Sequence, residues 1–294
     1  MWTVGVAWID FSAVYESRQK EAYMQLRYVK TLEEVRKLQK LYATPEFESF
    51  RGIGATFLTD PDVIAAILPP PLEPADDPIA SVSVSHIGVS NTLQPFGAGG
   101  LNVRCCYEGI VGDYPITMPM STDSAVIFGR ELYGEPKKVA NIHVRRHGDE
   151  IVGTIERYGR TYIEIRGRVV EQIAPRESPE TSRFYFKFMP APDGRGFDND
   201  PVLVRVRHTG STRLVERLEG EVVLRESSHD PVADIPVREL LGVSYSEGDT
   251  YTHGEILTRV PGESFLPYMF GKVDDLELLA SQGPGNSSAG SSSP

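Results

Sequence analysis

Apolar and polar positions alternate with a period of two along much of this chain. In IASVSVSHIGV (79–89), Ser81, Ser83 and Ser85 fall on one face and Val82, Val84 and His86 on the other, the mark of a half-buried strand. GATFLT, GLNVRCCYEGI, VANIHVRR, FYFKFMP, PVLVRVRHTG and LEGEVVLRESS read the same way. So does IVGTIERYGRTYIEIRGRVVE, with hairpins expected at His147-Gly148-Asp149 and Tyr158-Gly159-Arg160. Helical spacing is clear in only two places. TLEEVRKLQKLYA sets Leu32, Val35, Leu38 and Leu41 on one stripe, with Thr31 and Glu34 forming a capping box. DVIAAIL follows Asp60 as N-cap and Pro61 at the first helical position, and LPPPLEP stops it.

Many short strands with few helices between them predict a mainly β (α+β) protein, a sandwich or closed barrel, in place of a parallel sheet with crossover helices. The expected organisation is an N-terminal helical extension over 1–46, one catalytic-size domain over 47–275, and a Gly/Ser-rich tail over 276–294. That tail has almost nothing to bury and is expected to be disordered.

The formal net charge of −11 argues against a nucleic-acid partner, which needs a basic face. An anionic substrate must then be drawn in by a local cationic patch. The two cysteines, Cys105 and Cys106, are adjacent. On a strand they point to opposite faces, so they are expected to be free thiols in a reducing, cytoplasmic compartment. No apolar run approaches the ~20 residues that span a bilayer, and the first residues lack the basic lead of a signal peptide. The six histidines have no close ligand spacing. No phosphate loop and no GxSxG elbow is present. No cofactor and no metal are expected.

What remains is AVIFGRELYGEPKKVANIHV (125–144). Adjacent lysines are ordinarily solvated, but apolar residues flank Lys137 and Lys138 on both sides. Pro136 suits a strand start, so one of the two amines must face inward. Burial disfavours the ammonium form and can lower a lysine pKa by ~3–5 units. The neutral amine attacks a ketone, and the protonated imine accepts the electrons released when a β-carboxylate departs as CO₂.

Gly129-Arg130-Glu131 followed by Pro136-Lys137-Lys138 resembles the signature of the acetoacetate decarboxylase-like superfamily. TDPDVIAAILPPPLEP, YEGIVGDY, KFMPAPDG and TGSTRLVERLEGEVVLRESSHDPVADIPVREL are similar to flanking segments of that family, so the resemblance covers about residues 47 to 260. It implies a closed β-barrel or cone with one pocket, with Lys137 as the imine-forming residue. It makes Lys138 an electrostatic neighbour, the role described for the lysine pair of acetoacetate decarboxylase. Strand geometry qualifies that role, because neighbouring residues face opposite ways unless the backbone bulges. Arg51 falls near the family's carboxylate-binding arginine.

Where the family's decarboxylases carry two pocket glutamates, this chain has Ser83 and Ala98. Candidates to replace them are Tyr133 and Glu108 for acid–base work, and His86, with Ser83 and Arg51, for binding substrate. The expected partner is a small oxo acid, and a homo-oligomer is expected. The leading reading is a carbon–carbon lyase that decarboxylates a β-oxo acid through a lysine Schiff base. The alternatives are an aldolase-dehydratase acting on a 2-oxo acid and a non-catalytic binding protein for a small organic acid.

Overall fold

A computed structural model describes residues 27–175 and 177–281. The expectations for residues 1–26 and for the tail beyond Ser281 lie outside these. The chain divides into two units, one ending at Lys40 and the other beginning at Leu41.

In the first unit begins helix α1 (Leu32–Ala43). Its capping box is present as expected: the Glu34 carboxylate accepts from the Thr31 backbone N–H at 2.8 Å, and the Thr31 hydroxyl accepts from the Glu34 N–H at 3.2 Å. Helix α2 (Pro61–Ile67) starts at Pro61. Asp60 occupies its N-cap but does not cap. Its carboxylate is held by Arg238 through two bonds of 2.7 and 2.6 Å, a bidentate pair that outcompetes a backbone N–H.

The protein is mostly β. Besides two short pieces at Glu73–Pro74 and Val89–Ser90, its strands are β1 (Glu46–Leu58), β2 (Ile79–Ile87), β3 (Phe96–Tyr107), β4 (Ile110–Met120), β5 (Lys137–Val139), β6 (Asn141–His147), β7 (Glu150–Arg157), β8 (Arg160–Ile173), β9 (Glu177–Lys187), β10 (Val202–Leu224) and β11 (Glu239–Arg259). They run in the order β9-β4-β3-β2-β1-β11-β10-β8-β7-β6, and β5 adds to β4 in parallel. The expected hairpin turns join β6 to β7 and β7 to β8, with positive φ at Gly148, Tyr158 and Gly159. Because β9 also pairs with β10, the path β9-β4-β3-β2-β1-β11-β10 returns on itself. One parallel bridge, Arg183 to Asp113, makes the β9–β4 seam, so the ring is pinched there and is less than a continuous barrel.

The two faces of this sheet separate two cores. On one, Ile53 and Phe57 of β1 and Val82 and Val84 of β2 pack with Ile151 and Ile155 of β7 and Ile163 and Ile165 of β8. On the other, Ile87, Phe96, Met118 and Met120 gather with Phe128, Tyr133 and Tyr185. Cys105 is buried and Cys106 half-buried, both as free thiols.

Two elements depart from the sequence reading. Residues 123–133 form helix α3, where the consecutive Val126, Ile127 and Phe128 had suggested only an apolar flank. The first residues of the expected tail, Leu276–Ser281, form helix α4. Asp275 caps it, accepting from the Leu278 N–H at 2.8 Å, and Leu276, Leu278 and Leu279 give it apolar residues that a Gly/Ser run lacks. No helix among the described residues is long and apolar enough to cross a membrane.

Candidate active site

The second core surrounds a cavity of about 460 Å³. Its floor follows from the strand register. Ser83 and Ser85 of β2 pair with Gly54 and Gly52 of β1 on one side and with Gly100 and Ala98 of β3 on the other. Residues opposite one another in a sheet share a face, so this face carries very small side chains. Ser83, Ser85, Ala98 and Ser246 line the cavity, and Phe47, Phe50, Ile87, Phe96, Met118 and Phe128 wall it.

Lys137 reaches the cavity because of how α3 ends. Thr122 caps the helix start, its hydroxyl accepting from the Ala125 N–H at 3.3 Å. Gly134 ends the helix with φ +80, in the left-handed region that glycine tolerates best. The chain then turns through Glu135 and Pro136 into β5. Arg130 clamps this turn, donating to the Lys137 carbonyl at 3.1 Å and the Lys272 carbonyl at 2.8 Å.

The Lys137 amine and the Glu135 carboxylate lie 2.6 Å apart, each with 8% of its side chain exposed. They tuck under the backbone of Gly129. A Cβ there would stand 2.5 Å from Lys137 Nζ and closer still to Glu135 Oε2. Gly129 therefore makes the room in which the pair sits.

Other polar groups face the same space. Arg183 of β9 lines the cavity and makes no ion pair among the described residues. His208 of β10 lines it too, and its Nε2 has no hydrogen-bond partner. Burial pushes this imidazole well below the usual histidine range, and the charges of Arg183 and Lys137 add to the effect, so it is neutral at pH 7. Tyr133 is buried against Gly254, and its hydroxyl lies toward that of Thr252 without forming a bond of ordinary geometry. Burial, with Glu135 adding, raises the Tyr133 pKa, so the phenol stays protonated and can donate.

Of the residues singled out in the sequence, Lys137, Tyr133, Ser83 and Ala98 meet at this cavity. Four do not. Lys138 faces the other way, as strand alternation requires. Its amine donates to the His229 carbonyl at 2.7 Å and pairs with Asp230 at 3.1 Å and Asp274 at 3.4 Å. There it borders a separate cavity of about 920 Å³. It is not the electrostatic neighbour of the Lys137 amine, and Glu135 is. Glu108 sits exposed in the β3–β4 turn with φ 47. Arg51 and His86 are cross-strand partners on the face that carries Ile53 and Val84. They border a surface recess with Ser49, Arg213 and Glu247. The alternation that set Ser83 and His86 on opposite faces already forbade both from facing one pocket.

Sequence reasoning missed Glu135, Arg183 and His208. The signal for Glu135 was its closeness in sequence, two residues before an inward lysine across a proline turn. His208 continues the inward series Val204, Val206 on β10, and Arg183 stands two residues before the buried Tyr185. Among the described residues no group of three or more His, Cys, Asp or Glu side chains is placed to hold a metal ion.

The family model described as acetoacetate decarboxylase matches residues 35–260. The chain belongs to the acetoacetate decarboxylase family. Among curated relatives, it is 28% identical over 211 residues to the acetoacetate decarboxylase of Paraburkholderia phytofirmans, covering 69% of this chain and 81% of that one. It is 26% identical over 232 residues to the CLA biosynthesis isomerase of Lactiplantibacillus plantarum, covering 72% and 82%. A solved acetoacetate decarboxylase superposes with a TM-score of 0.67 at 19% identity, covering 78% of this chain and 99% of that one. The enduracididine biosynthesis enzyme MppR, complexed with the condensation product of pyruvate and imidazole 4-carboxaldehyde, gives 0.64 at 18%, covering 73% and 89%. At such identities the structures establish the shared fold.

Proposed function

We propose that this enzyme decarboxylates a 3-oxo acid through a Schiff base on Lys137. The observation that carries the reading is the buried Lys137 amine, 2.6 Å from the Glu135 carboxylate, at the wall of a largely apolar cavity. Arg183 docks the substrate carboxylate, since a guanidinium is the group suited to a planar anion. Glu135 takes a proton from the Lys137 ammonium as the amine adds to the ketone. The resulting carbinolamine loses water to give a protonated imine, as Glu135 returns its proton to the departing hydroxyl and the Tyr133 phenol remains free to hydrogen-bond the substrate. The bond to the carboxylate then breaks, CO₂ leaves, and its electron pair passes to the iminium to give an enamine. Protonation at carbon and hydrolysis return the ketone and free Lys137.

The test is reduction with borohydride in the presence of acetoacetate, with peptide mapping and measurement of CO₂. The expected adduct is on Lys137, and Glu135→Gln is expected to slow its formation by ~10²–10⁴-fold, the usual worth of a positioned base. An adduct elsewhere, or none with any oxo acid, refutes the reading. A neutral imidazole and a protonated phenol in the same cavity favour a second reading, aldol addition and dehydration on a 2-oxo acid. In that case Tyr133→Phe abolishes aldol turnover while trapping at Lys137 persists.

A further inference from the structure

The cavity holds far more apolar wall than acetoacetate can touch. At about 460 Å³ it falls within the ~300–1,000 Å³ of pockets that bury ligands of drug size. Lys137, Glu135, Tyr133, Arg183 and His208 line it from α3, the turn that follows, β5, β9 and β10, and β11 adds Ser246 and the Asp249 carboxylate. The same cavity has the floor of Ser83, Ser85 and Ala98 and the apolar walls Phe47, Phe50, Ile87, Phe96 and Met118. The Ser85 hydroxyl is already satisfied, donating to the Ala98 carbonyl at 3.2 Å, so it makes no demand on a ligand. The neighbouring floor positions on β1 and β3 are Gly52, Gly54 and Gly100.

Ser83 and Ala98 present small, uncharged side chains to the cavity. Two carboxylates there would fill the floor and repel hydrocarbon. A hydroxymethyl and a methyl leave it open and uncharged. The buried phenol of Tyr133, without a bond of ordinary geometry, marks the reacting end as a place that awaits a polar group.

From this arrangement we infer that the substrate is a 3-oxo acid with an extended apolar chain. The oxo acid head would sit at Lys137 and Arg183, and the chain would lie on the small-residue floor. The assignment rests on the Schiff-base reading for its head group, but the chain site is a separate claim with its own readout. Burying a methylene contributes ~0.8 kcal/mol, which is about a fourfold gain in affinity per methylene. The gain should continue until the cavity is full.

Two series test it. Saturated acids from butanoate to decanoate cannot form an imine, and their binding is measured by calorimetry on the full chain. The expected dissociation constant falls about fourfold per methylene over the first additions. A constant that stays flat or rises with length overturns the inference. The matching 3-oxo acids, from 3-oxobutanoate to 3-oxodecanoate, are trapped with borohydride at limiting concentration. Adducts on Lys137 that grow with chain length support the inference, and equal adducts at every length overturn it while leaving the Schiff-base reading standing. If no 3-oxo acid is trapped, the Schiff-base reading fails, and the saturated acids alone decide the chain site. Ala98→Leu, which fills the floor, is expected to flatten the length dependence in both series. A dependence that survives this substitution places the chain elsewhere and overturns the assignment.

Discussion

Gly129→Ala is the smallest change that tests how the Lys137–Glu135 pair is held. The added methyl would stand 2.5 Å from Lys137 Nζ, 2.7 Å from Lys137 Cδ and closer still to Glu135 Oε2. Carbon contacts relax near ~3.5–4.0 Å, so the pair must retreat by about 1 Å. Both side chains are flexible enough to move, and the fold should survive at a cost of ~1–3 kcal/mol, the range for overpacking. The chemistry should suffer more, because a misplacement of ~1 Å at a reacting group can cost ~10²-fold. The expected result is a trapping rate at Lys137 reduced by about 10²-fold, with a thermal midpoint lowered by a few degrees. The assay is single-turnover reduction with borohydride, followed by intact mass, beside a melting curve of the same sample. If the alanine variant traps oxo acid within about threefold of the wild-type rate, Gly129 does not set the pair's position and the local account is wrong.

Two further substitutions separate structure from chemistry. Lys138→Gln should leave trapping at Lys137 and its pH dependence unchanged, since the Lys138 amine is committed to His229, Asp230 and Asp274. It should cost ~1–3 kcal/mol of stability through the lost charged hydrogen bonds, with Arg157 still paired to Asp230. A shifted pH profile for trapping would restore Lys138 to the mechanism. Lys272 is half-buried, and the burial of its amine, with nearby Arg130 adding, lowers its pKa to about 7. The unfolded chain therefore binds an extra proton between about 7 and the ordinary lysine value near ~10.4. Stability should rise with pH across that window, by up to ~1.4 kcal/mol per pH unit. Lys272→Met should flatten the rise between pH 7.5 and 9, as read from urea unfolding, and an unchanged slope would show that Lys272 does not supply it.

The sequence was most legible where one local rule acted alone. Alternation in IASVSVSHIGV gave β2 and its two faces, and Thr31 with Glu34 formed the expected capping box. It was least legible where distant chain competes for a side chain. Asp60 reads as a helix cap until Arg238 takes its carboxylate, and nothing within 60–68 reveals Arg238. Arg183 and His208 fail for the same reason. They enter the cavity because β9 and β10 close the ring against β4 and β11, a pairing that local periodicity does not encode. Glu108 and Arg51 have suitable chemistry and a suitable place along the chain, whereas exposure and strand face decide what can reach a pocket.

The segment 129–137 shows why a short signature can identify a site before the fold is known. Each of its distinctive residues answers a different geometric demand. Gly129 gives up its Cβ so that two buried side chains can lie against the helix. Arg130 spans from the helix to the carbonyls of Lys137 and Lys272, fixing the strand that presents the amine. Gly134 supplies the left-handed turn that ends α3, and a Cβ there would meet the Lys187 backbone at 2.5 Å. Glu135 lies in the tight turn before β5, where its carbonyl accepts from the Lys137 N–H at 2.8 Å, and its carboxylate meets the Lys137 amine. Lys138 is excluded from the face of Lys137 by strand alternation, so the doubled lysine is two separate devices, one facing the cavity and one tying β5 to the acidic pair on its other side. It follows that an amine moved by one position cannot substitute. Lys137→Ala with Lys138 intact should give no trapped adduct at all, and an adduct on Lys138 in that variant would show that the strand can slip, contradicting the register of β5 with β4.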